Sequence, residues 1–201
     1  TYVDIDSGEN ISKEITEKTK LVWLETPTNP LMKIADIEAI CTAVKEVNSG
    51  ILIAVDNTFA TPYLQQPLDL GADIVMHSAT KYLGGHSDVV MGSLVVNDKK
   101  LADKLYFVQN ASGAVPGPQD CFLVLRGIKT LHVRMQRHCE NAKAVAHALK
   151  ANLNVGQVYW TGFEDHPNHE IAKRQMSDYG GMVSFTTKAG TLESAVKTLK
   201  K

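Results

Sequence analysis

Three short apolar runs punctuate the first 80 residues of the chain. Residues 51–55 are all apolar, and residues 20–25 and 73–77 are apolar between their polar first and last residues. Continuous runs of this length are typical of strands in a parallel sheet that helices cover on both faces. We therefore expect residues 20–25 to be buried on both faces of such a sheet.

Helical periodicity separates these predicted strands. Asp36 is a suitable N-cap, and apolar residues follow it at helical spacing. These residues are Ile37, Ile40, Cys41 and Val44. Residues 11–19 predict a short surface helix, and residues 62–70 a short helical connection. The order strand, helix, strand, short crossover, strand predicts an α/β unit with a largely parallel sheet and right-handed crossovers.

The second half of the chain has a different pattern of predicted elements, with longer helices. Residues 92–97 predict a further strand, antiparallel because its lead-in is short, and Asp98 can cap a helix over residues 99–109. A loop rich in glycine and proline follows at residues 111–118. Residues 119–151 then have the pattern of one long helix with a kink at Gly127.

The C-terminal quarter predicts a second, smaller unit. Residues 155–160 and 182–187 have the pattern of strands, with a loop between them that carries His166 and His169, and a helix begins at residue 192. We expect three parts. Residues 1–117 belong to a large α/β domain, residues 118–151 form a long linking helix, and residues 152–201 begin a C-terminal domain.

Composition narrows the classes of function. The net charge is −1, which does not favour nucleic acid or an anionic membrane as partner. Three cysteines without a CxxC pair favour a reducing compartment, and no apolar run could span a bilayer, so we expect a cytoplasmic protein. The chain opens in a strand-like stretch at residues 2–4 and stops within a helical pattern, so we expect a fragment of a longer protein.

Several binding motifs are missing from the sequence. Neither a GxGxxG after a strand nor a GxxxxGK[ST] is present, which leaves dinucleotide and P-loop binding unsupported. The seven histidines have no metal-binding spacing. We therefore expect no metal site.

Polar residues follow the ends of the three predicted parallel strands. Residues 25–29, 56–58 and 78–81 all fall where ligands gather in open α/β sheets, beyond the carboxyl ends of the strands. We therefore expect these three segments to line one crevice.

Lys81 is the candidate nucleophile of that crevice. A lysine just past a buried strand is easily desolvated, which lowers its pKa and makes the amine nucleophilic. Ser78 and Thr80 could bind a phosphate beside it, and Gly84 and Gly85 would let the backbone approach a ligand. Asp56 could pair with a protonated pyridine nitrogen.

Each of these residues also has an ordinary interpretation. Taken alone, Asp56 is a turn or cap aspartate and Lys81 a solvated surface lysine. The combination of amine, carboxylate and hydroxyls instead favours pyridoxal phosphate (PLP), bound to Lys81 as a Schiff base.

Residues 73–87 (DIVMHSATKYLGGHS) closely resemble the attachment signature of the Cys/Met metabolism PLP-dependent enzymes. Further similar stretches are residues 25–30, 55–59, 113–118 and 126–135. The resemblance implies the aspartate aminotransferase-like fold, fold type I. It also implies that Lys81 carries the cofactor and shuttles protons, that Asp56 pairs with the pyridine nitrogen, and that Ser78 and Thr80 hold the phosphate.

The resemblance implies two further contacts and a class of substrate. Thr58 would lie against one ring face, and Asn29 near the cofactor's phenolic oxygen and the substrate carboxylate. The stretches look most like a transsulfuration enzyme of the cystathionine γ-lyase or γ-synthase type, which acts on small sulfur amino acids or activated homoserine. A methionine γ-lyase or O-acetylhomoserine sulfhydrylase is the alternative within the family.

The resemblance also implies an oligomeric state, and it implies that some site residues lie outside these 201 residues. Members of the family are homotetramers built from dimers with shared active sites. The glycine turn that binds phosphate, the stacking tyrosine and the residues supplied by the neighbouring subunit precede this stretch of the family, and the arginine that binds the substrate carboxylate follows it. We therefore expect the 201 residues alone to be weakly active or inactive, or to be a PLP-binding fragment without catalysis.

Overall fold

Four strands form one sheet whose first three members run parallel. The computed structural model describes the backbone of residues 1–4 and 8–200 and the side chains of residues 1–4 and 10–200. In it β1 spans Leu21–Glu25, β2 Leu52–Asp56, β3 Ile74–Ser78 and β4 Gly92–Val95. The order is β1-β2-β3-β4, with β4 antiparallel to β3. The predicted α/β fold and antiparallel fourth strand are confirmed, whereas residues 2–4 form no strand.

Helix α2 (Ile37–Val47) packs on one face of this sheet. Asp36 caps it, with Oδ1 accepting the Ala39 N–H at 3.2 Å. The predicted apolar residues of α2 are all buried, and they share one core with Ile53 and Val55 of β2. The periodicity and cap in the sequence therefore predicted both the helix and its buried face.

Helix α1 (Gly8–Glu14) packs against α2. It ends at Glu14 and not at residue 19 as predicted. Thr16 and Thr19 close a turn there, because the Thr19 N–H donates to the Thr16 carbonyl at 2.9 Å and the Thr16 N–H donates to the Thr19 hydroxyl at 3.0 Å. Such local bonds compete with the helical ladder.

The other face of β1 is open. Leu21 is 47% exposed and Trp23 is 52% exposed, and Leu94 of β4 is 49% exposed. The expectation that residues 20–25 would be buried on both faces is therefore wrong. An apolar run becomes a fully buried strand only when another part of the chain covers it, and local sequence does not show that cover.

Two helices flank the strands near the centre of the chain. Helix α3 (Thr61–Leu64) follows β2, and helix α4 (Lys99–Ser112) follows β4. Asp98 caps α4 as predicted, accepting the Leu101 N–H at 2.7 Å.

The predicted long helix over residues 119–151 is two helices, α5 (Pro118–Ile128) and α6 (Leu131–Lys150). Thr130 separates them with a non-helical backbone, and its hydroxyl donates to the Gly127 carbonyl at 3.1 Å. The kink expected at Gly127 is thus a break just beyond it. Met135 and Cys139 of α6 are buried in one core with Ala79 and Leu83, which flank Lys81 in sequence.

The C-terminal strands β5 (Val155–Tyr159) and β6 (Ser184–Thr187) pair antiparallel. Helix α8 (Leu192–Leu199) follows β6 as expected. Between the strands lies helix α7 (His169–Gln175), which the sequence interpretation placed in a loop. Only His169 and Ala172 of α7 are buried, so it has no apolar stripe to reveal it.

Trp160 and Phe163 form a small third core with Ala142 and Ala146 of α6. Aromatic edge-to-face contacts hold this core, with the Trp160 and Phe163 ring centroids 5.2 Å apart at 84°. None of the helices among the described residues has the length and apolar character needed to cross a membrane.

Candidate active site

Three strand ends meet at the carboxyl edge of the parallel sheet. Glu25 ends β1, Asp56 ends β2 and Ser78 ends β3. Glu25 is paired with Asp56 in the sheet register, and Asp56 with Met76. Because ligands of such sheets bind at this edge, it is the place where a site would be built.

A chain of hydrogen bonds links Asp56 to the turn that carries Lys81. The Thr58 N–H donates to Asp56 Oδ1 at 3.0 Å, and the Thr58 hydroxyl accepts the Ser78 N–H at 2.8 Å. The Ser78 carbonyl accepts the Lys81 N–H at 3.1 Å. These bonds fix the ends of β2 and β3 relative to each other.

An open cleft of about 1000 Å³ lies beside this turn. Of the six predicted site residues, Asn29, Thr80 and Lys81 line the cleft. Asp56, Thr58 and Ser78 are not among its lining residues, and they connect to it through the hydrogen bonds just described.

Lys81 is exposed, contrary to the expectation that the strand end would desolvate it. The turn after β3 carries its side chain out of the core and into the open cleft. Burial therefore does not activate this amine in the chain as described. A group that occupied the cleft would have to exclude the water itself.

Asp56 and Ser78 keep polar atoms available. Asp56 is half-buried, and only its Oδ1 accepts a hydrogen bond among the described residues. The Ser78 hydroxyl makes no hydrogen bond to any described residue, whereas its backbone N–H and carbonyl are both paired. One carboxylate oxygen and one hydroxyl are thus free to bind a ligand.

Thr80 is less free than Ser78. Its hydroxyl accepts the Met91 N–H at 3.0 Å and donates to the Met91 carbonyl at 3.3 Å. A threonine hydroxyl has a single proton. It can donate to a phosphate only by giving up the longer bond to Met91.

Asn29 lies on the turn that follows β1. Its N–H donates to Glu25 Oε1 at 3.2 Å, and the peptide bonds before Pro27 and Pro30 are both cis. Burial raises the pKa of the Glu25 carboxyl, the Asn29 N–H lowers it, and the nearby Asp56 raises it again. The turn is therefore anchored to the same strand edge that carries Asp56.

Gly84 and Gly85 have a different role from the one expected. A Cβ on Gly84 would lie 2.8 Å from the Ala79 carbonyl oxygen, and one on Gly85 would lie 2.4 Å from Arg134 Nη1. Gly85 also has φ of +78°, which favours glycine. Both residues make room for neighbouring protein atoms, so their absence of side chain shapes the turn itself.

Two residues of the cleft were missed in the sequence. Tyr82 and His138 both line it, with ring centroids 5.2 Å apart. Burial raises the pKa of Tyr82 to about 12, with a smaller contribution from Cys139, and burial lowers the pKa of His138, followed by the charge of Arg134. His138 is three residues beyond the buried Met135, and that spacing could have placed it on the inner face of α6.

Behind the cleft lies a buried amide network. Gln65 Nε2 donates to Asn57 Oδ1 at 2.8 Å and to the Thr26 carbonyl at 3.1 Å, and Gln65 Oε1 accepts from Gln175 Nε2 at 3.0 Å. Asn57, Gln65 and Thr26 are almost completely buried. Because Asn57 follows Asp56, this network fixes the backbone next to the candidate carboxylate.

His166 ties the C-terminal part of the chain to the segment after Asn29. Its Nε2 is 2.9 Å from the Met32 carbonyl, and its Nδ1 accepts the Asn168 N–H at 3.2 Å. Only the neutral ring with a proton on Nε2 satisfies both bonds. Burial lowers the pKa of His166, as does His169, while the Met32 carbonyl and Asp165 raise it.

We expect the free energy of unfolding to fall as the pH drops below about 6.5, the ordinary pKa of histidine. The pKa of His166 is lowered in the folded chain. The unfolded chain therefore binds the proton at a higher pH, and stability is lost between that pH and the lower folded-state pKa. Urea unfolding at about pH 7.5 and about pH 5.5 measures the difference.

His166→Gln should reduce this loss, although the buried His77 and the half-buried His138, whose pKa values are also lowered, will leave part of it. His132→Gln is the matched control, because His132 is exposed. Equal pH dependence in the His166 variant and the unmodified chain would contradict the assignment.

The donor set of this edge fits PLP. The cleft presents a primary amine, the adjoining strand ends present a free carboxylate oxygen and a free hydroxyl, and Thr80 adds a second hydroxyl. These are the groups that an aldehyde, a protonated pyridine nitrogen and a phosphate require. Fold and donor set together define a PLP-dependent enzyme of the α/β class, fold type I.

Comparison with known proteins supports the assignment to this class of enzyme. A sequence profile of the family described as Cys/Met metabolism PLP-dependent enzyme matches residues 1–201. The chain belongs to this family, and PLP is the family's cofactor. The predicted family, fold type and cofactor are thereby confirmed.

Relatives of two activities match to the same degree. The chain is 54% identical to a cystathionine gamma-lyase of Dictyostelium discoideum, covering 96% of this chain and 50% of the relative. It is 55% identical to a cystathionine gamma-synthase of Mycobacterium bovis, covering 94% and 48%. The crystal structure of a cystathionine gamma-lyase from Lactobacillus plantarum, complexed with L-serine, superimposes with a TM-score of 0.91 at 46% identity, covering 94% of this chain and 49% of that one. The chain thus spans about half the length of these relatives.

Proposed function

We propose that a protein that contains this chain and is as long as its relatives is a transsulfuration enzyme of the cystathionine γ-lyase or γ-synthase type. It makes or breaks a carbon–sulfur bond at Cγ of a small sulfur amino acid or an activated homoserine. The observation that carries this proposal is Lys81, whose side chain opens into the cleft and whose backbone N–H is linked through Ser78 and Thr58 to Asp56. When bound, PLP withdraws electrons from the substrate Cα.

The side chains of this edge take the following roles in the proposal. Lys81 Nζ holds the cofactor aldehyde and, once released, moves protons at the substrate Cα and Cβ. Asp56, through its free oxygen, accepts a hydrogen bond from the protonated pyridine nitrogen. Ser78 and Thr80 bind the phosphate, with Ser78 the stronger donor because its hydroxyl makes no bond to any described residue.

Thr58 and Asn29 complete the proposed site. The Thr58 hydroxyl bridges towards Ser78, which places the residue between Asp56 and the phosphate-binding end. Asn29 lines the cleft, where its amide can reach the phenolic oxygen or a substrate carboxylate.

A parallel assay of cystathionine, methionine and O-succinylhomoserine tests the proposed reaction. In the full-length protein we expect ketoacid from cystathionine, or cystathionine from O-succinylhomoserine and cysteine. The 54% and 55% identities to the two types of relative favour these two activities equally. Ketoacid formed mainly from methionine, or a preference for O-acetylhomoserine with sulfide, would replace the proposal with methionine γ-lyase or sulfhydrylase.

The same assay on the 201-residue chain should give little or no product. The open cleft leaves Lys81 in contact with water, whereas active sites strengthen their electrostatic interactions with the substrate by excluding water. Rapid turnover by the chain alone would refute this expectation. Binding of PLP by the full-length protein without turnover of any of these substrates would favour a non-catalytic function.

We also propose a cytoplasmic homotetramer built from dimers. Large apolar side chains are exposed on α4 and α5, among them Tyr106, Phe107, Phe122 and Leu125. Exposed apolar patches of this kind are typical of subunit interfaces, and the three free cysteines suit a reducing compartment. The division into residues 1–117, 118–151 and 152–201 remains a prediction.

A further inference from the structure

We propose that Arg134 is a positioning residue that holds the turn of residues 81–85, and with it Lys81, in place for the cofactor. The inference rests on the proposed function of Lys81. It assigns a role to a side chain that lies 52 residues away from the turn in sequence.

The guanidinium of Arg134 joins the turn to the junction of α5 and α6. Nη1 donates to the Tyr82 carbonyl at 2.7 Å, and Nη2 lies 3.5 Å from the Leu83 carbonyl. Nη2 also donates to the Gly127 carbonyl at 2.8 Å, and Nε donates to the Thr130 hydroxyl at 3.1 Å. The two residues that follow Lys81 are therefore bound to the end of α5 through one side chain.

The turn has its own hydrogen bonds, which Arg134 completes. The Gly85 N–H donates to the Lys81 carbonyl at 2.8 Å, and the Gly84 N–H donates to the Ala79 carbonyl at 2.7 Å. These bonds close the turn on the side of the backbone N–H groups. Arg134 reaches the Tyr82 and Leu83 carbonyls, which these bonds leave open.

Gly85 and Gly127 leave room for Arg134 and for the close approach of the turn to α5. A Cβ on Gly85 would lie 2.4 Å from Nη1, and one on Gly127 would lie 2.2 Å from the Gly84 carbonyl oxygen. The turn and α5 thus approach with backbone against backbone. A side chain at either position would force apart the two segments that Arg134 joins.

The charge of Arg134 is directed to carbonyl groups. Among the described residues no carboxylate lies within ion-pair distance of its guanidinium, whereas Arg137 on the next turn of α6 pairs with Glu140. Hydrogen bonds from a charged donor are roughly twice as strong as neutral ones. The planar fork of arginine also reaches two carbonyls on different segments, which the single ammonium of lysine does not reproduce.

The test compares Arg134→Lys and Arg134→Gln with Arg137→Gln, which removes an exposed arginine of the same helix. Hydrogen exchange at the amides of Lys81, Gly84 and Gly85 should accelerate about tenfold or more in both Arg134 variants, because one charge-assisted bond or more is lost. The affinity for PLP, measured by titration and by borohydride trapping on Lys81, should weaken about tenfold in the same variants. Arg137→Gln should change neither.

Two outcomes separate this inference from the proposed function. If the Arg134 variants unfold at lower urea but keep the exchange rates of the turn and the affinity for PLP, Arg134 is merely structural and the inference is overturned. If the unmodified chain traps no PLP while exchange still accelerates in Arg134→Lys, the proposed function of Lys81 fails but the arginine still supports the turn.

Discussion

Lys81→Ala is expected to abolish the covalent trapping of PLP. The unmodified chain, mixed with PLP and reduced with borohydride, should gain one pyridoxyl phosphate group on the peptide that contains Lys81. Its amine opens into the cleft, and its backbone N–H is linked through Ser78 and Thr58 to Asp56. Mass spectrometry of the digested protein locates the group.

Exposed lysines also react with aldehydes, so the comparison needs a matched control. Lys100 is an exposed residue of α4, and Lys100→Ala should leave the adduct at Lys81 unchanged. Stoichiometric labelling should also saturate at low PLP only when Lys81 is present. An adduct spread evenly over many lysines, or one that persists in Lys81→Ala, would remove the basis of the proposed site.

Gln65→Leu is expected to destabilise the folded chain by about 3 kcal/mol. Leucine fills a similar volume but leaves the buried Asn57 Oδ1 and Thr26 carbonyl without their partner, while the half-buried Gln175 Nε2 keeps only its bond to the Ala35 carbonyl. Each unsatisfied buried group costs about 1–3 kcal/mol. Urea unfolding, followed by circular dichroism, measures the loss.

The neighbouring glutamine provides the control for this prediction. Gln66 is exposed and donates only to the Pro62 carbonyl, at 3.2 Å. Gln66→Leu should therefore change the free energy of unfolding by no more than about 0.5 kcal/mol. Equal losses in the two variants would show that the amide network adds nothing to stability.

Local signals in the sequence were enough to predict some of the helices and strands. The cap at Asp36 and the apolar spacing behind it predicted α2 with its buried residues, because both signals lie within the helix itself. Helix α7 lacks an apolar stripe and its position follows from contacts made elsewhere, such as Asn168 Nδ2 to the Ile34 carbonyl at 2.7 Å. Such a contact joins residues 134 apart in sequence.

Some features of the candidate site could likewise be predicted from local sequence, whereas others depend on contacts between distant segments. The ends of β2 and β3 follow from the apolar runs, so Asp56 and Ser78 could be placed at one edge in advance. The exposure of Lys81, the bonds of Thr80 to Met91 and the reach of Arg134 depend on segments that meet only after folding. Glycine in the sequence signalled a close approach but not which group approaches.

The open face of β1 gives the chain a built-in optical probe. The sequence has two tryptophans, and they lie in opposite surroundings: Trp23 is 52% exposed on that face, whereas Trp160 is 3% exposed in the aromatic core. Iodide in solution therefore quenches the fluorescence of Trp23 and spares that of Trp160. Any molecule or protein segment that settles on the sheet face shields Trp23 and shifts its emission to shorter wavelengths, so assembly on that face can be followed without a label.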